Sequence, residues 1–348
     1  SAQSVKIHSE IIDKLNYACH QSAFPFLRSL RVKSLESEQT FENITVTLSA
    51  NPAFLKPKSW RLDRLAPGGE IVIPDRDVEL NGEFLLAMAE STRGQVSIKA
   101  EIADCVLGEL TKPVDLLAFN EWGGARAMPD LLAAFSMPND PAVDRVLRDA
   151  SLVLRNAGKP DSIDGYKSKS RQRVWEIVSA IYTAIANLGI SYAVPPASFE
   201  QNGQKIRFPS PILENRLATC LDSTLLFASV IEQAGLYPIV VLPQGHALVG
   251  VWLQPEGLNT IVTDEAELLR KRVQLNELLL IESTCVTAHP PLPSSKAVKT
   301  ASDLLHPDKD DSFHAAVDIN RARMHRVLPL GITTKDQAKP AEDADQPP

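Results

Sequence analysis

Leu217-Ala218-Thr219-Cys220-Leu221-Asp222-Ser223-Thr224-Leu225-Leu226-Phe227-Ala228-Ser229-Val230-Ile231, running on to Gly235, is the stretch whose reading decides the fold. Leu221, Leu225, Ala228, Val230 and Ile231 fall on one helical face, and Gly235 supplies the stop, so a buried helix is expected over 221–234. Pro238 to Leu242 then reads as a strand, Pro243-Gln244-Gly245 as a turn, and His246 to Leu253 as a second strand. After an excursion over 254–276, with a helix expected from Asp264 to Val273, Glu277 to Thr284 reads as a third strand. A cysteine-led helix followed by an antiparallel meander is an α+β arrangement.

Working outward, helices are expected over Asp130–Phe135, Asp140–Asn156 and Ser170–Leu188. Asp140 is placed to cap the second of these, and Gly158 and Gly189 to end the last two. Further upstream the period changes from helical to alternating. Arg28–Lys33, Ile44–Leu48, Glu70–Ile73, Val78–Leu80 and Gln95–Ile102 read as short strands, separated by turns such as Pro67-Gly68-Gly69. Such strands point to an immunoglobulin-like β-sandwich. The expected organisation is an N-terminal helix over 1–19, a β-sandwich over 20–118, an α+β domain over 119–300, a C-terminal segment over 301–332 and a disordered linker or tail over 333–348.

Bulk properties narrow the function. Forty-three acidic against 36 basic residues give a net charge of −7, which counts against a broad phosphate-binding face and makes direct nucleic-acid binding an unfavoured reading. Arg270-Lys271-Arg272 and Arg321–Arg326 are the local basic patches, read as solvated helix faces. No apolar run approaches the roughly 18 residues of a membrane helix. Cys19, Cys105, Cys220 and Cys285 form no C-x-x-C pair, so neither a zinc site nor a disulfide framework is expected, and a cytoplasmic location fits. No metal or cofactor is called for.

The chemistry concentrates on three residues. A thiol acts as thiolate, which a helix N-terminus or an imidazolium favours, and Cys220 directly precedes the helix just described. His246 opens a strand after a Gly-containing turn. Glu282 is the lone carboxylate in Leu278-Leu279-Leu280-Ile281-Glu282, costly there unless paired. An antiparallel pairing of the two strands brings Glu282 beside His246, where it would fix the imidazole tautomer. Cys220 is the candidate nucleophile, His246 the base and Glu282 the orienting acid. Trp122 is read as an interface anchor, and Asp222 as a cap. The amides of Gln201-Asn202-Gly203-Gln204 are candidates for an oxyanion hole.

These motifs, with Gly245-His246-Ala247 and Ile281-Glu282-Ser283-Thr284, resemble the transglutaminase-like core of the papain-like superfamily over about 205–287. The resemblance implies a cysteine protease or cross-linking transferase acting on a protein or peptide. Two departures stand out: Glu282 replaces the usual Asp, and the lead-in is Ala218-Thr219-Cys220 instead of Gly-x-Cys. A second resemblance rests on Leu15-Asn16-Tyr17, Asn120-Glu121-Trp122-Gly123-Gly124, Met137-Pro138-Asn139-Asp140-Pro141-Ala142-Val143 and Pro195-Pro196-Ala197-Ser198-Phe199-Glu200. These are similar to an uncharacterised region at the front of large bacterial superfamily-1 helicase proteins. It implies a helicase or nuclease partner, or a longer parent chain, although no G-x-x-x-x-G-K-[ST] motif occurs here. Two rivals to catalysis stay open: a dormant module that docks a protein partner, and an accessory nucleic-acid module.

Overall fold

The computed structural model describes residues 3–331. The expected tail, 333–348, lies outside them. The fold is mixed α+β.

The first zone opens on a strand, not a helix. In β1, Val5–Ile11, the side chains of Val5, Ile7 and Ser9 turn inward and the residues between them outward, the period-2 pattern of a half-buried strand. Of the helix expected over 1–19, only the part from Tyr17 is helical, in Tyr17–Gln21, after the two-residue β2, Lys14–Leu15. The strands that follow are β3 (Leu27–Ser34), β4 (Phe41–Asn51), β5 (Lys58–Leu65), β6 (Glu70–Val72), β7 (Thr92–Ile102) and β8 (Cys105–Leu116). Residues 78–80 form no strand beyond a single bridge from Leu80 to Leu55. Two sheets result, ordered β1-β3-β6 and β2-β8-β7-β4-β5. Their buried faces share one apolar core, Val5, Leu30 and Val32 from one, Ile44, Val46, Leu48, Val96 and Ile98 from the other.

That core continues into the second zone without a break. The junction strand β9 (Glu121–Trp122) pairs with β11 (Gln204–Lys205), while β10 (Ser191–Tyr192) runs parallel to β12 (Leu217–Ala218). Trp122 is fully buried and donates its indole N–H to Met128 O at 2.9 Å. Gly203, at φ +93°, lies so close to the Trp122 carbonyl that a Cβ would sit 1.8 Å from its oxygen, so only glycine fits.

Three main helices surround the site: α1 (Pro141–Asn156), α2 (Arg171–Ala186) and α3 (Cys220–Gln233). Asp130–Phe135 is 3-10 instead of α. Behind α3 stands a sheet of β13 (Pro238–Leu242), β14 (Leu248–Trp252), β15 (Val262–Thr263), β16 (Leu278–Ile281) and β17 (Ala315–Asp318), ordered β15-β17-β13-β14-β16. The expected β13-β14-β16 meander is present. The described part of the expected 301–332 segment, 301–331, packs with the elements before it, however. Helix α4 (Ser294–Leu304) crosses the expected boundary, and β17 inserts beside β13, pairing Leu242 with Ala315 and Ile239 with Asp318. All four β17 residues are buried, so the strand belongs to the core.

Candidate active site

Cys220 is the first residue of α3, one position tighter than the expected start at Leu221. Thr219 caps the helix: its hydroxyl accepts from Asp222 N at 3.1 Å, and the Asp222 carboxylate accepts from Thr219 N at 2.9 Å, a reciprocal capping box. Gln204 adds a donor to the Thr219 hydroxyl at 3.0 Å. Arg207 holds the wholly buried Asp222 through its backbone N–H at 2.9 Å and its guanidinium at 3.1 Å. Asp222 thus supports the helix end, as its position implied. In an α-helix the N–H groups of Cys220 and Leu221 have no intrahelical acceptor, so they point off the end as anion donors beside the thiol. The side-chain amides of Gln201 and Gln204, weighed as oxyanion donors, are directed to the His314 ring and to Thr219 and Lys205 instead.

His246 sits two residues before β14, in a turn closed by His246 N donating to Pro243 O at 3.2 Å. Gly245 takes φ +64° there, a conformation glycine adopts freely. The antiparallel register Val249↔Ile281 places the residues after β16 alongside those before β14. Glu282 follows Ile281 and caps a 3-10 turn, Ser283–Thr287, rather than continuing the strand to Thr284. The His246 Nε2 and Glu282 Oε2 atoms are 2.6 Å apart. The other carboxylate oxygen accepts from Thr284 N at 3.0 Å and its hydroxyl at 2.7 Å. Glu282 is 3% exposed, so this buried charge is satisfied on both oxygens. Arg216, considered as a competing partner, donates instead to Leu188 O. The extra methylene of Glu over Asp does not break the contact.

With Nε2 engaged by Glu282, Nδ1 is the ring nitrogen left over, and Cys220 lies near enough to the ring to be among the groups that raise it. The three residues singled out by sequence therefore meet. Burial works against the charged imidazole and is the largest single influence. The influence of Cys220 and the hydrogen bond and charge of Glu282 outweigh it, and the His246 pKa is pushed up to about 10. Near neutral pH the ring is an imidazolium.

Two features near the site escaped sequence reasoning. Tyr192 lies near Cys220, and burial, then the influence of Cys220, pushes its phenol up to about 12. The other is a second pair: His314, immediately before β17, lies 3.3 Å from the buried Glu200. A hydrophobic residue type in an extended Pro-rich run gave no signal for the first. The second joins residues 114 positions apart.

The remaining cysteines differ. Cys285 is buried in the 3-10 turn and its thiol is pushed up to about 11 by burial and then by the Glu282 charge. Cys19 is held by burial at about 12, and Cys105 is exposed. A surface concavity of about 690 Å³ beside Cys19, Lys56, Lys58 and Arg76 lies in the first zone, away from the triad. The basic patches are largely paired: Arg270 with Asp310, Lys271 with Glu267, Arg272 with Glu256 and Glu277, and Arg323 with Glu232. Among the described residues no group of three His, Cys, Asp or Glu is placed to hold a metal ion, and no helix is long and apolar enough to cross a membrane.

Compared with known proteins, the chain matches no family model, no curated protein and no solved structure.

Proposed function

We propose that this chain is a cysteine-dependent acyl-transfer enzyme of transglutaminase/papain-like type, behind an immunoglobulin-like sandwich, hydrolysing a peptide or isopeptide bond. One observation carries the reading: an imidazole hydrogen-bonded to a buried carboxylate at 2.6 Å and near a cysteine that heads a helix. Papain-like resemblance and the α+β order support it.

In this mechanism the Cys220 sulfur, as thiolate, attacks the acyl carbon and forms the S–C bond. The carbonyl π pair moves to oxygen, where the Cys220 and Leu221 N–H groups receive it. As the tetrahedral intermediate collapses, the C–N bond breaks and the His246 imidazolium gives its proton to the departing amine. Neutral His246 then takes a proton from water, which attacks the thioester, and Cys220 leaves as thiolate with the ring reprotonated. Glu282 holds the ring and offsets its charge throughout. An amine in place of water would make the same cycle a cross-linking transfer.

A second reading has a specific observation in its favour. Cys220 is 0% exposed, as expected of a dormant module that docks a protein partner, such as the helicase or nuclease implied by the second resemblance. Incubation with p-nitrophenyl acetate separates the two. Catalysis predicts a nitrophenol burst near one per chain and an acetyl group on Cys220, both lost in Cys220→Ser and slowed at least about hundredfold in His246→Ala, the lower range for loss of a general acid–base. No burst from the folded wild type supports the dormant reading.

A further inference from the structure

Two imidazole–carboxylate pairs stand on one rim of the five-stranded sheet. Beside His246 and Glu282 there is His314, whose Nε2 lies 3.3 Å from Oε1 of Glu200. Both glutamates are 3% exposed. Both histidines hang from the end of β13, on neighbouring carbonyls: His314 N donates to Leu242 O at 3.0 Å and His246 N to Pro243 O at 3.2 Å. The two carboxylates are provided for unequally. Glu282 is met by the His246 ring and by both donors of Thr284. Glu200 Oε2 is buried and, among the described residues, has no hydrogen-bond partner. A buried carboxylate so poorly matched costs stability, so packing alone does not account for it.

Glu200 stands on the short helix Phe199–Asn202, and the chain beyond it leads to the nucleophile. Gln204 donates to the Thr219 hydroxyl at 3.0 Å, and Arg207 N to the Asp222 carboxylate at 2.9 Å. Thr219 and Asp222 are the two halves of the cap that starts α3 at Cys220. A run of contacts therefore joins the turn of His246 to the head of α3 without passing through Glu282. We propose that His314 and Glu200 are a positioning pair, which sets the His246 turn against the head of α3 and so fixes the approach of the imidazole to Cys220. This assignment rests on the reading of Cys220 and His246 as nucleophile and base. His314 and Glu200 act through the main chain that carries the triad, not on the reacting atoms. Breaking their contact is expected to let the turn draw away from the helix, while the Glu282 contact, held by the β14–β16 register, stays. His246 then loses the influence of Cys220 and keeps that of Glu282.

Glu200→Met in the full chain tests this. It keeps the length of the side chain and removes the buried carboxylate, and His314, partly exposed, can turn its ring nitrogens to water. The urea midpoint is therefore expected to match or exceed that of wild type. Iodoacetamide labelling at neutral pH is followed by peptide mass spectrometry, with exposed Cys105 as reference. Glu200→Met is expected to lose most of the advantage that wild-type Cys220 holds over Cys220 of His246→Ala. The His246 titration, read by carbon-13 NMR, is expected to fall only part of the way from about 10 toward 6.5. Unchanged labelling and titration refute the positioning role, and so does slower labelling that merely follows a lowered urea midpoint. If Glu200→Met does not fold, as labelling of buried Cys19 and Cys285 would show, His314→Leu is read in the same way. His314→Gln, whose amide N–H can reach Glu200, is expected to recover part of the advantage, and a loss equal to that of His314→Leu counts against the contact. A wild type no faster than His246→Ala removes the triad reading and this assignment with it. A faster wild type with an unaffected Glu200→Met removes the assignment alone.

Discussion

The hydroxyls of Thr224 and Ser283 are 2.8 Å apart and buried, and they join the helix that carries Cys220 to the turn that carries Glu282. Thr224 lies one turn beyond Cys220, and Ser283 directly follows Glu282. This bond fixes nucleophile and acid relative to each other from behind, leaving the imidazole between them. Replacing Ser283 by Ala leaves a buried hydroxyl without this partner, a loss of about 1–3 kcal/mol. Urea titration is expected to show it, and Thr224→Val combined with Ser283→Ala should recover part of the loss. Equal destabilisation in the double variant and the sum of singles would mean the two hydroxyls do not interact.

Glu282→Gln keeps the shape of the side chain and removes its charge. The hydrogen bond and charge of Glu282 are among the influences that raise His246. The His246 pKa is therefore expected to fall from about 10 toward its ordinary 6.5. Carbon-13 NMR of the imidazole reads this directly. An unchanged titration would show that Glu282 does not hold the ring charged.

Stability should follow the same group. A histidine raised from about 6.5 unfolded to about 10 folded binds more protons in the folded state between those values. Its contribution is fully present below about pH 6.5 and is lost as pH rises through 10. The stability difference between wild type and His246→Gln is accordingly expected to shrink over that window. Denaturant midpoints measured from pH 6 to 10 check it, and a difference that grows with pH contradicts the assignment.

The capping box sets where α3 begins, and so where the thiol points. Thr219→Ala removes the hydroxyl that accepts from Asp222 N and Gln204. A loss of about 1 kcal/mol is expected, within the range for N-cap replacements, together with a slower acetylation burst. Full stability with full burst would show that the helix start is held by Arg207 and Asp222 alone.

Much of this was legible along the chain, for reasons that can be named. Gly235, the apolar spacing from Leu221 and the lone Glu282 in an apolar strand each follow from local rules, and the antiparallel register did the rest. The alternation in Val5–Ile11 and in Lys58–Leu65 was equally present, with Trp60 and Leu62 facing inward, but a helical reading of the N-terminus and the turn-rich surroundings masked it. Strand β17 could not be found that way. Ala315-Ala316-Val317-Asp318 is short, and burial on both faces leaves no alternation to detect. Tyr192 comes beside the lead-in to Cys220 only because β10 runs next to β12, a pairing of two residues each that no period reveals.

The central claim is that Cys220 and His246 form one ionised pair. The rate of Cys220 alkylation by iodoacetamide against pH, in wild type and in His246→Ala, tests it most directly. The account predicts that at neutral pH, where the raised His246 is charged, wild-type Cys220 is alkylated faster than Cys220 of His246→Ala, and that the advantage fades as pH rises through 10. Superimposable profiles in the two proteins, with the onset of a free thiol, would contradict it.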